Sequence, residues 1–162
     1  TWGPERVILR VPGQWAQPSV VRSADGQRLL MLMRENTRRH HSLYSVSDDD
    51  ARTWSEPREL PAALTGDRHV MKSAGDGRLV VAFRDMSRVS PTYGHYVAWV
   101  GTFDDIIGGR EGQFRIIQIS NGLGDVEEIP VNGNPDCGYS TMEPSLPRPT
   151  SRWKLDRRGT AL

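Results

Sequence analysis

Two uninterrupted apolar stretches, Leu29–Met33 and Leu79–Phe83, stand out against an otherwise mixed pattern of apolar and polar residues. Each stretch is too short for a helix and contains no polar residue, which is typical of a strand buried on both faces. An Asp-Gly pair, a strong local signal for a hairpin turn, precedes each stretch, at Asp25-Gly26 and at Asp76-Gly77. The pattern therefore predicts two apolar strands, each entered from a tight β-hairpin.

These two strands belong to an internal repeat with a period of 50 residues. Ser23–Glu35 aligns with Ser73–Asp85 without a gap, and each copy contains a short strand, an Asp/Gly turn, an apolar strand and an arginine followed by an acid. A repeat of about this length is typical of the blades of a β-propeller, each of which is a four-stranded antiparallel sheet. The predicted fold class is therefore all-β, with one blade for each repeat.

A turn motif follows the third predicted strand of the first repeat. Residues Ser47–Trp54 have the sequence Ser-Asp-Asp-Asp-Ala-Arg-Thr-Trp, which matches Ser-x-Asp-x-Gly-x-Thr-Trp except at Ala51. We expect the Ser and Asp side chains to bond to turn amides, with the Trp packed beneath the turn. The motif resembles the Asp-box of sialidases and related β-propellers, where it lies on the side away from the active site. Its defined positions here are Ser47, Asp49, Thr53 and Trp54.

The repeat and the turn motif divide the chain into parts of one partial propeller domain. We expect residues 1–16 to end a preceding blade, residues 17–64 to form the blade with the Asp-box, and residues 65–120 to form the next blade. Residues 136–162 are expected to form a degraded or incomplete blade, because three prolines there remove hydrogen-bond donors from a sheet. About two and a half blades are thus predicted, and we expect the chain to be a fragment.

A more specific similarity extends over about residues 15–142, which resemble the C-terminal half of a bacterial sialidase-like propeller protein. The segments that carry the resemblance occur in the order Thr65–His69, Phe83–Asp85, Ser90–Thr92, Val97–Thr102, Gly109–Gln113 and Asp136–Tyr139. The resemblance implies a six-bladed propeller that acts on sialic acids, and a secreted or periplasmic location. The sequence departs from well-studied sialidases because it lacks the Phe/Tyr-Arg-Ile-Pro segment that carries their first arginine.

The order of strands in a propeller blade indicates which residues can be chemical. The start of the first strand and the end of the second strand share the face opposite the Asp-box turn. Ionisable and polar residues fall on that face from three successive blades, and they are Arg34, Arg84, Asp67, Arg68, His69, Asp136 and Tyr139. We therefore expect these side chains to form one site.

Sialidases hold the carboxylate of their sugar with two or three arginines, since a planar guanidinium binds a carboxylate bidentately. They also use a tyrosine nucleophile, because an uncharged phenol avoids repulsion from that carboxylate. The resemblance implies carboxylate binding by Arg34, Arg68 and Arg84, substrate contact by His69, proton transfer by Asp67 or Asp136, and nucleophilic attack by Tyr139.

Structural interpretations of the same residues remain open. The Arg34-Glu35 and Arg84-Asp85 pairs are compatible with ion pairs between neighbouring blades at strand ends. Asp67 is compatible with a turn residue that pairs with Arg68, and Tyr139 with an aromatic of the channel wall. Under this interpretation the polar face stabilises the fold and has no chemical role.

Other polar and aromatic groups have simpler explanations. His40-His41 is interpreted as part of a solvated loop, with substrate contact as the alternative, and adjacent histidines point apart on an extended chain. Asp48–Asp50 are explained by the Asp-box without calcium, and Trp99 and Phe103 are expected to pack within the blade. No metal and no cofactor are predicted.

Composition limits the partners further. The net charge is +1 with one cysteine, Cys137, and no apolar stretch approaches the ~18 residues that span a bilayer. These values argue against a nucleic-acid partner, a membrane span, an internal disulfide and a cysteine-rich metal site. Because two and a half blades cannot close a ring, we expect self-association through open propeller edges.

Two functions remain compatible with the sequence. The first is an exo-sialidase-type glycoside hydrolase, an incomplete fragment that releases terminal sialic acid or a related acidic sugar. The second is a non-catalytic propeller fragment that binds glycan or protein through the same arginines. The acidic glycan is the partner that both interpretations accommodate.

Overall fold

The computed structural model describes residues 4, 7–9, 15–37, 39–120 and 142, and within residues 114–120 it describes the side chain of Arg115 alone. The described chain is mostly β-strand with little helix, which confirms the all-β prediction. The first sheet contains β1 (Trp15–Arg22), β2 (Leu29–Glu35), β3 (Leu43–Ser47) and β4 (Arg58–Glu59). The second sheet contains β5 (Gly66–Ser73), β6 (Arg78–Asp85), β7 (Tyr96–Thr102) and β8 (Phe114–Ser120). Both sheets are antiparallel, with strands in sequence order.

The two apolar stretches form the second strand of each sheet, as predicted. Because side chains alternate between the faces of a strand, β2 places Leu30 and Leu32 in a core shared with the second sheet. Met31 and Met33 point the other way and pack with Leu43. All of these side chains are buried, so the prediction of burial on both faces is confirmed for β2.

The main hydrophobic core lies between the two sheets. Trp99 and Phe83 are its largest fully buried side chains, and the indole Nε1 of Trp99 donates to the Glu111 carbonyl at 2.6 Å. Trp99 and Phe103 both belong to this core, so their predicted packing role is confirmed. Other members of the core include Leu30, Leu32, Tyr44, Leu64, Met71, Val81, Val97 and Ile106.

The first hairpin of each sheet shows that the repeat is not free of gaps. Arg22 pairs with Leu29 across a six-residue turn, whereas Ser73 pairs with Leu79 across a five-residue turn. The structural counterpart of Ser23 is therefore Ala74, one residue beyond the Ser73 of the ungapped alignment. The shorter turn contains two glycines with positive φ (79° and 86°), a conformation that glycine adopts without steric cost. The period is thus 50 residues over β2 and 51 over β1.

The turn after β3 has the hydrogen bonds expected of the predicted motif. The Ser47 hydroxyl accepts from the Ala51 amide at 2.9 Å, and the Asp49 carboxylate accepts from the amide and hydroxyl of Thr53 at 2.8 and 2.6 Å. These bonds, led by the Thr53 hydroxyl, lower the pKa of Asp49 to about 2. Trp54 packs against the cluster of Met31, Met33 and Leu43, as the predicted apolar plug.

The corresponding position of the second sheet holds a short helix, α1 (Phe103–Ile107). Thr102 caps α1 by accepting from the Asp105 amide at 3.1 Å, and the Asp105 carboxylate accepts in turn from the Thr102 amide at 2.8 Å. The helix contacts the first sheet, because the Arg28 guanidinium lies 4.6 Å from the Phe103 ring centroid. The sequence pattern does not predict α1, since five residues are too few to show helical periodicity.

Candidate functional site

The start of β5 brings together one carboxylate and two guanidinium groups. Asp67 is fully buried, with 0% relative exposure. Its Oδ2 accepts a hydrogen bond from Nη2 of Arg84, at the end of β6, over 2.6 Å. Its Oδ1 lies 3.9 Å from Nε of Arg34, which stands at the end of β2 in the first sheet. We call Asp67, Arg34 and Arg84 the arginine cluster, and it connects the two sheets at the end opposite the Asp49 turn.

A β-bulge in the first strand of each sheet shapes this end of the structure. The pairing register shifts between Asp67 and Val70 in β5, and Arg68 has a φ of 57°. In β1, Gln17 has a φ of 51° at the equivalent bulge, and its side-chain oxygen accepts from Nη1 of Arg34 at 2.8 Å. The bulge in β1 therefore places the Gln17 side chain against the arginine cluster.

Gly66 allows β5 to approach β6 closely beside the cluster. A Cβ atom at this position would stand 2.2 Å from the Arg84 carbonyl oxygen and 2.5 Å from the Phe83 ring. Neither neighbour can move easily, because one is backbone and the other is a fully buried side chain. The absence of a side chain at residue 66 thus helps to place Asp67 opposite Arg84.

Glu35 and Asp85, the acids that follow Arg34 and Arg84, each accept hydrogen bonds from the loop that comes after them. Glu35 accepts from the backbone amides of Thr37 and Arg39 at 2.7 and 2.9 Å, which together with other hydrogen bonds lowers its pKa despite its burial. Asp85 accepts from the Ser87 amide at 2.9 Å and, in the same loop, from the hydroxyls of two further residues. Arg34 and Asp67 therefore pair across the two sheets, whereas the neighbouring acids order the loops after β2 and β6.

Sequence patterns do not reveal a further partner of Asp85. The guanidinium Nη2 of Arg115, on β8, donates to the Asp85 carboxylate at 2.6 Å, and the Arg115 side chain also lies 5.8 Å from the Phe83 ring centroid. The two residues are 30 positions apart in sequence. No local spacing indicates such a pair, because the contact depends on how β8 lies in the sheet.

His69 is a core residue in this structure. Its Nε2 lies 2.9 Å from the Leu64 carbonyl oxygen, and its ring stacks on Phe83 with centroids 5.2 Å apart. Burial lowers the pKa of His69, which favours the neutral imidazole. The residue is only 4% exposed, so its ring is enclosed within the fold.

The other predicted site residues have different placements. Arg68 is half-buried next to Asp67, and its carbonyl accepts from the Tyr96 hydroxyl at 3.3 Å. Asp136 and Tyr139 lie outside the described residues, as does the predicted segment 136–162 apart from residue 142. The structure thus brings together Arg34, Asp67 and Arg84, places Arg68 next to them, and turns His69 into the core.

A groove of about 370 Å³ opens beside the arginine cluster. It is bounded by the loop after β2, the loop after β6 and the residues that lead into β5. His41 lies in this groove with Nδ1 2.7 Å from the Thr65 hydroxyl, whereas the neighbouring His40 lies 3.7 Å from a carboxylate oxygen of Glu59. The two histidines therefore contact different partners.

Comparison with models of protein families, with curated proteins and with solved structures gives no match. Within the described residues, no group of three or more His, Cys, Asp and Glu side chains is arranged to hold a metal ion. No helix in the described part of the chain has the length and apolar character needed to cross a bilayer.

Proposed function

We propose that this chain forms two successive blades of a six-bladed propeller of the sialidase type, and that the propeller is an exo-acting glycoside hydrolase. Its substrate is a glycan that ends in sialic acid or a related acidic sugar. Two four-stranded antiparallel sheets in sequence order, packed face to face, support the propeller assignment. The Asp-box hydrogen bonds of Ser47 and Asp49 support the sialidase type.

One observation carries the functional proposal: Arg34 and Arg84, from successive sheets, converge at the end opposite the Asp49 turn. A guanidinium is the protein group best suited to hold a carboxylate, because it donates in a planar fork. Arg34 is 22% exposed, with Nε bonded to the Asn36 side chain and Nη1 to the Gln17 side chain, and Arg68 lies next to the cluster. Arg84 is 4% exposed and supports the site from beneath.

Asp67 fits a positioning role better than proton transfer. Its carboxylate is 0% exposed, and one oxygen already accepts from Arg84. A leaving-group oxygen cannot reach a carboxylate that is enclosed by two guanidinium side chains. Asp67 therefore orients Arg34 and Arg84, and proton transfer in this proposal belongs to Asp136.

The chemical step then follows a retaining mechanism in two parts. The Tyr139 oxygen attacks the anomeric carbon and gives its phenolic proton to a carboxylate base while the glycosidic C–O bond breaks, and the leaving oxygen takes a proton from the general acid. Water next attacks the anomeric carbon and gives a proton to the now deprotonated general acid, while the bond to Tyr139 breaks, the phenol oxygen recovers its proton from the base, and the sugar is released. The arginines hold the substrate carboxylate throughout, which keeps the anomeric carbon aligned with the phenol oxygen.

A second function, glycan binding without catalysis, is favoured by the same buried carboxylate. Asp67 is one of the two candidate proton donors, and its enclosure removes it from that role while the arginines keep theirs. A non-catalytic module requires the arginines and does not require Tyr139. The two functions differ in turnover and agree in their need for Arg34.

The test is hydrolysis of a fluorogenic α-sialoside by the whole chain and by four variants. We expect Arg34→Ala and Tyr139→Phe to abolish turnover, and Arg52→Ala, an exposed arginine in the Asp49 turn, to preserve it. Arg34→Lys serves as a conservative companion, since it keeps the charge and loses the planar fork. Unfolding midpoints of each variant separate a lost site from a lost fold.

Saturation-transfer NMR with the methyl α-glycoside of N-acetylneuraminic acid completes the test. Binding without turnover, lost in Arg34→Ala, would favour the non-catalytic function. Absence of both turnover and binding in the folded chain would contradict both functions.

A further inference from the structure

The groove lies beside the arginine cluster, at the same ends of β2 and β5. Its lining includes Glu35 and Gly66, which are the chain neighbours of Arg34 and Asp67. The groove and the cluster therefore share the end of β2 and the start of β5. A glycan whose terminal carboxylate lies on the arginine cluster can place its next sugar in this groove.

The charged side chains at the groove surface are mainly cationic. Arg39 and Arg88 are exposed on its wall, and their guanidinium groups form no ion pair with the described residues. Glu35 also lines the groove, but it is buried and its oxygens accept backbone amides. Glu59 is the accessible acid among the lining residues, and it lies 3.7 Å from His40. Two arginines therefore face solvent beside one accessible carboxylate.

Both arginines stand on loops that buried carboxylates hold in place. Glu35 accepts the Arg39 amide itself at 2.9 Å. On the other wall, Asp85 accepts the Ser87 amide, one residue before Arg88, at 2.9 Å. Such loops reduce the conformational entropy that is lost on ligand binding, because the backbone of each arginine is already held in place. Arg39 and Arg88 therefore differ from surface arginines whose backbone no buried side chain holds.

An apolar group completes the groove. Val89 is 88% exposed at its rim, next to Arg88. Ligand-binding clefts combine apolar walls with a few placed polar groups. The exposed Val side chain offers an apolar contact for the C–H face of a sugar, while the arginines offer donors to an anionic substituent.

We infer that this groove binds a second anionic group of the glycan, carried by the sugar next to the terminal one. The substrate class is therefore a polyanionic glycan, in which both of the last two sugars carry a carboxylate or a sulfate. This inference rests on the proposed function, because it assumes that the terminal carboxylate occupies the arginine cluster. Arg39 and Arg88 are the residues that select the second anion.

The test compares two sialosides that share the terminal sugar. The α2,8-linked dimer of N-acetylneuraminic acid has a carboxylate on its second sugar, whereas α2,3-sialyllactose has a neutral second sugar. We expect the whole chain to bind the dimer about tenfold more tightly, the effect of one additional charge-assisted hydrogen bond. Arg88→Ala and Arg39→Ala should each reduce this preference, and Arg52→Ala should leave it unchanged. Isothermal titration calorimetry measures the affinities.

The outcomes separate this inference from the proposed function. Equal affinity for the two sialosides would overturn the inference and leave carboxylate binding at the arginine cluster intact. If neither sialoside binds, the proposed function fails, and inorganic sulfate then tests the groove through the His41 imidazole NMR signals. Sulfate-dependent shifts that disappear in Arg88→Ala would support an anion site, and unchanged signals would overturn it.

Discussion

Removal of the Asp67 carboxylate is expected to destabilise the chain strongly. In the structure this group is 0% exposed, and it neutralises Arg84, whose side chain is 4% exposed. The Asp67→Ala variant would leave the Arg84 guanidinium enclosed without its 2.6 Å partner. Arg34 would also lose the carboxylate oxygen at 3.9 Å from its Nε. Both lost interactions lie where the two sheets contact each other.

The magnitude follows from the burial of both partners. Breaking a buried ion pair by removing one charge costs about 3–5 kcal/mol, most of it from the charge that remains without compensation. Replacing both partners by apolar groups is far less costly, because no charge is then left in a medium of low polarity. The double variant Asp67→Ala/Arg84→Met should therefore recover most of the stability that Asp67→Ala loses.

Urea unfolding at pH 7, followed by tryptophan fluorescence and by circular dichroism, measures these free energies. Asp76→Ala is the matched control, because Asp76 and Arg78 are also 2.6 Å apart but are 49% and 40% exposed. We expect this control to change the midpoint little, since solvent screens an exposed pair. The reasoning is refuted if Asp67→Ala costs no more than Asp76→Ala, or if the double variant is no more stable than Asp67→Ala.

Two further predictions concern the backbone and the core. Ala51 has a φ of 65°, a left-handed conformation that costs about 1–2 kcal/mol for a residue with a Cβ atom. Ala51→Gly should relieve this cost, offset by about 0.4–1 kcal/mol of unfolded-state entropy, and raise the unfolding free energy by up to about 1.5 kcal/mol. Burial lowers the pKa of His69 from its ordinary value of 6.5, so the unfolded chain binds the proton first. Stability should therefore fall as pH decreases below about 6.5, by at most about 1.4 kcal/mol per pH unit from this group.

Each of these predictions has a control in the same region of the chain. For Ala51, the comparison is Ala63→Gly, which lies outside the left-handed positions and should lower the midpoint because it only increases the unfolded-state entropy; a lower midpoint in Ala51→Gly would contradict the strain argument. For His69, the comparison is His69→Gln, which cannot take up the proton. Urea midpoints between pH 7.5 and 5.5 should fall less steeply in His69→Gln than in the original chain. Identical slopes would show that His69 does not carry the pH dependence.

The strands and their turns could be predicted from local sequence patterns. The apolar stretch Leu29–Met33 requires burial on both faces, and only a strand between neighbouring layers provides it in so few residues. Asp25-Gly26 specifies a hairpin, and the side chains of Ser47 and Asp49 bond to amides within the same turn. These features depend on residues a few positions apart, so the local sequence is sufficient to predict them. The side of the sheets that carries Arg34 and Arg84 follows from the strand order.

The partners of the ionisable groups in the arginine cluster are decided by tertiary structure. Asp67 is adjacent to Arg68 in sequence, yet in the fold it is bonded to Arg84 and stands near Arg34 of the other sheet. Sequence reasoning placed His69 with the substrate, whereas the fold stacks it on a buried aromatic ring. A β-bulge changes the face of the strand on which the following residues lie, and no local sequence pattern predicts the bulges of β1 and β5. Burial and charge pairing depend on which strand ends meet in space, and only the packed sheets bring those ends together.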